Sequence, residues 1–153
     1  MLFILKEAGG KLEGATRLQK IAFLITMKAK MGGIGFEPSE YGPYSSAIAN
    51  AVKELEGEGI IRVTRMPVPG SDKGYKEVYE LMNKSAVKGV DGVFGRHALK
   101  RGVAKDIIWL WKDAPLIALI EYVYRKYPEY AVESIIKDKI DAEKALSKRY
   151  PYL

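Results

Sequence analysis

The stretch YGPYSSAIANAVKELEGEGIIRV, residues 41–63, changes its conformational period twice within a short span. It opens as a Tyr-Gly-Pro-Tyr turn, part of a connection stiffened by Pro38 and Pro43 and carrying Phe36, Tyr41 and Tyr44 as anchors for the core. Ile48, Val52 and Leu55 then recur at helical spacing behind Ser45 and Ser46, either of which can cap the helix. Gly57 and Gly59 end it. IIRVTRMPV and GYKEVYELM follow as two strands joined by Pro69-Gly70-Ser71-Asp72-Lys73-Gly74. A stiff turn feeding a short helix, with Ser46, Ala47, Asn50 and Lys53 outward, suits a helix presented to something outside the protein.

The upstream segment supplies two more helices. Leu2, Phe3 and Leu5 open a short one that stops at Gly9-Gly10. Thr16 caps the next, with Leu18, Ile21, Ala22 and Ile25 inward and Arg17, Lys20, Lys28 and Lys30 along its polar side. Gly32, Gly33 and Gly35 end it; they have the wrong spacing for a nucleotide-binding fingerprint, and no apolar strand precedes them. Three helices followed by a hairpin is the order of a winged helix-turn-helix. The expected fold is therefore mainly α with a small β-hairpin, a winged-helix core over residues 1–82.

Residues 83–153 read as a helical extension packed on that core. Asn83 to Gly95 is a glycine-containing linker. Leu99, Val103, Ile107 and Leu110 mark one helical face, with Trp109 and Trp111 nearby. Asp113 and Pro115 begin a further helix carrying Leu116, Ile117, Leu119, Ile120, Val123 and Tyr124, which Pro128 interrupts. A last segment holds Ile135, Ile136, Ile140 and Leu146. PLIALIEYVYRKY is apolar around much of its circumference, which predicts burial on more than one side; a homodimer contact is one way to provide it.

Charge narrows the partners. Residues 1–82 hold 11 basic and 10 acidic side chains, an excess of +1, whereas residues 83–153 hold 14 and 9, an excess of +5. Whatever the first part binds, bulk charge does not drive it. The absence of cysteine removes disulfides and thiol chemistry and points to a cytoplasmic protein. No run approaches a membrane span, and the first residues lack a basic leader. The single histidine, His97, reads as a polar helix-surface residue, and Glu54, Glu56 and Glu58 as a solvated run opposing their helix dipole. Nothing nominates a catalytic group, a metal site or a cofactor, so the chain is not expected to be an enzyme.

Double-stranded DNA has the better geometric case. In a helix-turn-helix the second helix of the unit enters the major groove. Here Ser45, Ser46 and Asn50 are placed to reach phosphates or base edges, and Lys53 a guanine or a phosphate. Arg17 and Lys20 suit the backbone, as do Arg65, Lys73 and Lys76 along the hairpin. Arg96, Lys100, Arg101 and Lys105 recur at helical spacing as a basic stripe that extends the footprint if the extension folds beside the core. A helix without arginine and with an acidic far half favours instead a protein partner for the same surface.

TRLQKIAFLI followed by FEPSEYGPYSSAIANAVKELEGEGII resembles the YwgA-like group of uncharacterised prokaryotic proteins and, more faintly, the Panacea domain of antitoxins. In both, an LQK-type helix precedes an aromatic Tyr-Gly-Pro turn and a second helix. The resemblance covers residues 16–63, through Leu18-Gln19-Lys20 and Tyr41-Gly42-Pro43-Tyr44-Ser45. It implies a winged-helix-like core in a cytoplasmic protein, with no established enzymatic activity and no defined site to carry over.

Overall fold

The computed structural model describes residues 1–71, 73–134 and 136–149. Its elements are α1 (Leu2–Glu7), β1 (Lys11–Glu13), α2 (Ala15–Lys28), α3 (Ser46–Gly57), β2 (Ile61–Pro67), β3 (Tyr75–Leu81), α4 (Ala98–Trp111), α5 (Leu116–Lys126) and α6 (Lys137–Arg149). Short 3₁₀ turns at Lys84–Val87, Val90–Phe94 and Pro128–Tyr130 fill the connections after the sheet. The chain is thus mainly helical with one small antiparallel sheet. Among the described residues, no helix is long and apolar enough to cross a membrane.

The sheet has three strands where the sequence predicts two. β3 is central, with β2 on one side and β1 on the other. β1 pairs Leu12 with Tyr79, and both are buried. Three residues carry no readable period, so β1 is held by its partner: Gly14 N–H donates to the Glu77 carbonyl at 2.7 Å, and Leu81 N–H to the Gly10 carbonyl at 2.7 Å. The far half of β2 is exposed on both faces, so the hairpin tip leaves the body of the protein.

α2 is the axis of the core. Every residue from Leu18 to Ile25 is buried. α4 runs antiparallel to it: Lys100, near the start of α4, donates to the Lys30 carbonyl just past the end of α2. At the other end, Arg17 donates to the carbonyl of Trp111 at 2.6 Å. α1, α5 and the sheet close the remaining sides. Phe23 is fully buried and meets Phe36, Tyr127 and Tyr130 edge-on, with centroids 5.3, 5.0 and 4.7 Å away. These rings bring the loop after α2 and the turn after α5 onto the same helix.

Two expected features fall differently. α2 starts before Thr16, with Gly14 as its N-cap, so Thr16 lies in the first turn and caps nothing. On α4, Leu99 and Leu110 are 83% and 65% exposed; the buried stripe is Ala104, Ile107 and Ile108, with Trp111 half-buried. That stripe also has helical spacing, and the small Ala104 lets α4 approach α2 closely. On α6, Ile140 is buried and Leu146 exposed, while Ile135 lies outside the described residues.

Candidate nucleic-acid interface

The aromatic turn and the start of α2 are built as one unit. Glu37 and Tyr44 exchange backbone hydrogen bonds at 2.8 and 2.9 Å, closing the loop into a bracket. Within it the Ser39 hydroxyl donates to the Gly42 carbonyl at 2.6 Å. Gly42 sits at φ +90°, and a β-carbon there would stand 2.8 Å from the Tyr124 ring and 3.1 Å from Lys20 Nζ. Glycine is required twice over, by backbone angle and by space.

Gln19 reads the entrance of α3 from both sides. Its Oε1 accepts from Ser45 N–H at 2.9 Å, and its Nε2 donates to the Ser45 carbonyl at 3.1 Å. Lys20 Nζ donates to the carbonyl of Tyr41 and lies 5.8 Å from the Tyr124 ring centroid. Lys20 is 0% exposed, and among the described residues no carboxylate pairs with it. Burial pulls its ammonium down to about 7. Leu18 packs the core, Gln19 holds Ser45 and Lys20 holds Tyr41, so the LQK and YGPYS motifs are the two halves of one joint.

This corrects the expectation for three residues. Lys20 and Ser45 are sealed inside the joint and reach no phosphate or base. The Ser45 hydroxyl caps nothing and has no partner among the described residues. Arg17 points its guanidinium at the Trp111 and Glu13 carbonyls, where burial lowers its pKa; it ties α2 to α4 instead of reaching outward. One sequence signal was legible. Ile21 to Ile25 is five apolar residues without a break, which marks a helix buried all round, and Lys20 shares a face with Phe23 and Leu24.

The remaining candidates divide into three regions. On α3, Ser46, Asn50 and Lys53 are exposed, and Ile48 is the helix's one buried residue, with Val52 and Leu55 half-buried. Along the hairpin, Arg65 pairs with Glu77 at 3.4 Å, and Lys76 with Glu13 at 2.6 Å. The Tyr79 hydroxyl donates to Glu77 at 2.7 Å, and burial raises its pKa. Lys73, in the hairpin loop, lies 4.7 Å over the Tyr41 ring, leaning the hairpin toward the bracket. Between α2, the bracket, α3 and the hairpin lies a cleft of about 250 Å³, bordered by Lys53, Glu56, Arg65, Lys73 and Glu77.

The basic stripe belongs to another flank. Lys105 pairs with Glu7 of α1 at 3.7 Å, Lys100 reaches the Lys30 carbonyl, and Arg101 acts on Asp91 in the Val90–Phe94 turn. Lys6 bonds that carboxyl at 2.8 Å and holds it below the usual carboxylate range. Arg96 is exposed just before α4, and His97 is exposed at its N-cap. No family model matches the chain, and no curated protein matches it either.

Proposed function

We propose that the chain is a winged helix-turn-helix protein that binds double-stranded DNA as a transcriptional regulator, with α3 as its recognition helix and the hairpin as its wing. The element order α1-β1-α2-α3-β2-β3, with β1 on β3, supports this reading. So does the joint between LQK and YGPYS, the two motifs that resemble the YwgA-like group. The observation that carries it is α3 itself: held rigidly at its N-terminus by Gln19, buried at Ile48, and open along Ser46, Asn50 and Lys53.

In this mechanism α3 enters the major groove. Asn50 makes the two-bond contact to adenine, Lys53 reaches a guanine or phosphate, and Ser46 contacts the backbone. Lys73 and Arg65 hold a strand from the wing. Arg96, Lys100, Arg101 and Lys105 meet a phosphate run on their own flank, and a dimer through the C-terminal helices brings a second reading head to the duplex.

The test is a salt titration of binding to random duplex DNA followed by fluorescence anisotropy. Affinity falls steeply with salt, and the slope shrinks by about one for each phosphate-contacting lysine replaced, Lys53 first. Absence of binding at low salt overturns the reading. A second reading would then take over, in which the same helix and hairpin dock on a protein, as an antitoxin or adaptor does. The specific observation behind it is that Arg65 and Lys76 are already paired with Glu77 and Glu13.

A further inference from the structure

A second cleft, of about 500 Å³, lies between α1, the later half of α2, the loop at residues 31–34 and the segment at residues 89–94. Phe3, Ile4, Ile25 and Phe94 are its buried wall, and Ile34 and Val93 stand exposed at its rim. Among the described residues, no charged side chain lines it, and burial lowers the pKa of the one ionisable group on its lining residues, the Met1 α-amino group, toward the neutral amine. Its one side-chain hydroxyl, on Thr26, already donates to the Ala22 carbonyl at 2.9 Å. An ion or strongly polar molecule placed here loses its water with no side chain to replace it.

Size then selects among apolar occupants. The volume falls within the roughly 300–1,000 Å³ of small-molecule sites. A helix is about 10–12 Å across, so this space takes little more than one turn of it, short of the several turns an amphipathic helix lays into a groove. We propose that the cleft binds a small uncharged apolar molecule, an aromatic or hydrocarbon compound held by buried carbon surface.

Ile48 gives such a ligand a route to α3. It is the residue by which α3 enters the core, and it lines this cleft as well as the charged one beneath the hairpin. A molecule seated against Ile48 changes the packing that sets the position of α3, so occupancy and duplex affinity are linked. The linkage rests on the duplex-binding reading; the site does not.

The probe is N-phenyl-1-naphthylamine, an uncharged aromatic amine that brightens in apolar surroundings, titrated into the full chain. Saturable binding of one equivalent is expected. Val93→Trp with Ile34→Trp, two bulky rings at exposed rim positions, weakens it at least tenfold, and Leu99→Ala, an exposed apolar position on α4, leaves it within twofold. If circular dichroism shows the double variant unfolded, Val93→Trp alone is the test, with at least a threefold loss expected. Emission that does not saturate, or that these variants leave unchanged, overturns the site. With the probe saturating, duplex affinity shifts at least threefold; no shift overturns the linkage and leaves the site standing. If no duplex binds with or without probe, the proposed function fails while the fluorescence titration still decides the site.

Discussion

α2 and α3 are adjacent helices of similar length with opposite jobs. α2 is buried from Leu18 to Ile25 and touches the sheet, α4 and α5; α3 buries Ile48 and packs on β2. A helix enclosed on all sides fixes geometry, and one enclosed on a single side can present a surface. The polar groups follow the same division. Gln19 and Lys20 on α2 spend their hydrogen bonds on the backbone of the turn before α3, while Asn50 and Lys53 on α3 keep theirs for outside. Exposure, and not residue type, separates a lysine of the joint from a lysine of the surface.

The contrast is easiest to break in the core. Phe23→Ala should cost about 3–5 kcal/mol in urea unfolding, whereas Val52→Ala on α3 should cost about 1 kcal/mol. Equal losses would mean that α3 is as enclosed as α2. Gly42→Ala comes next, at about 2–4 kcal/mol, since it combines an unfavourable positive φ with a collision against Tyr124. Gln19→Ala leaves the Ser45 N–H and carbonyl without their partners and should cost about 1–3 kcal/mol, with faster amide exchange at the start of α3.

Lys20 sharpens the comparison through pH. Its folded pKa of about 7 lies below its ordinary value of 10.5. The unfolded chain therefore binds more protons between those values, and stability rises with pH across that window; below about pH 7 the contribution to the slope vanishes. Between pH 7.5 and 9.5 the gain is about 2 kcal/mol, and Lys20→Met should remove it from the difference between wild type and variant unfolding curves. The smallest stability effect belongs to Asn50→Ala, within about 0.5 kcal/mol, although duplex affinity should fall at least fivefold.

Much of this arrangement was legible in residue order. The periods of α1, α2 and α3, the glycine stops and the proline-rich hairpin loop place those elements directly. β1 was not, because Lys11, Leu12 and Glu13 acquire strand character from β3 and carry no alternation long enough to read. On α4 two apolar stripes share Ile107, and only the contact with α2 selects the one through Ala104. The candidate site was half readable. Ser46, Asn50 and Lys53 stand outside as their spacing predicts, whereas Lys20 and Ser45 read as outward from sequence because a charged or hydroxyl side chain ordinarily prefers water. Their burial depends on hydrogen bonds from Lys20 to the Tyr41 carbonyl and from the Ser45 backbone N–H to Gln19, across 21 and 26 residues of chain, which no local pattern encodes.

The glycine that leans on Tyr124 also imposes an order on biosynthesis. The bracket at residue 42 emerges from the ribosome early, but the ring that forms its wall follows more than half a chain length later. Until α5 has been made, Gly42 lacks that wall, so the bracket completes its packing only once α5 is present. The last wall of the joint between α2 and α3 therefore comes from the half of the chain that is synthesised last.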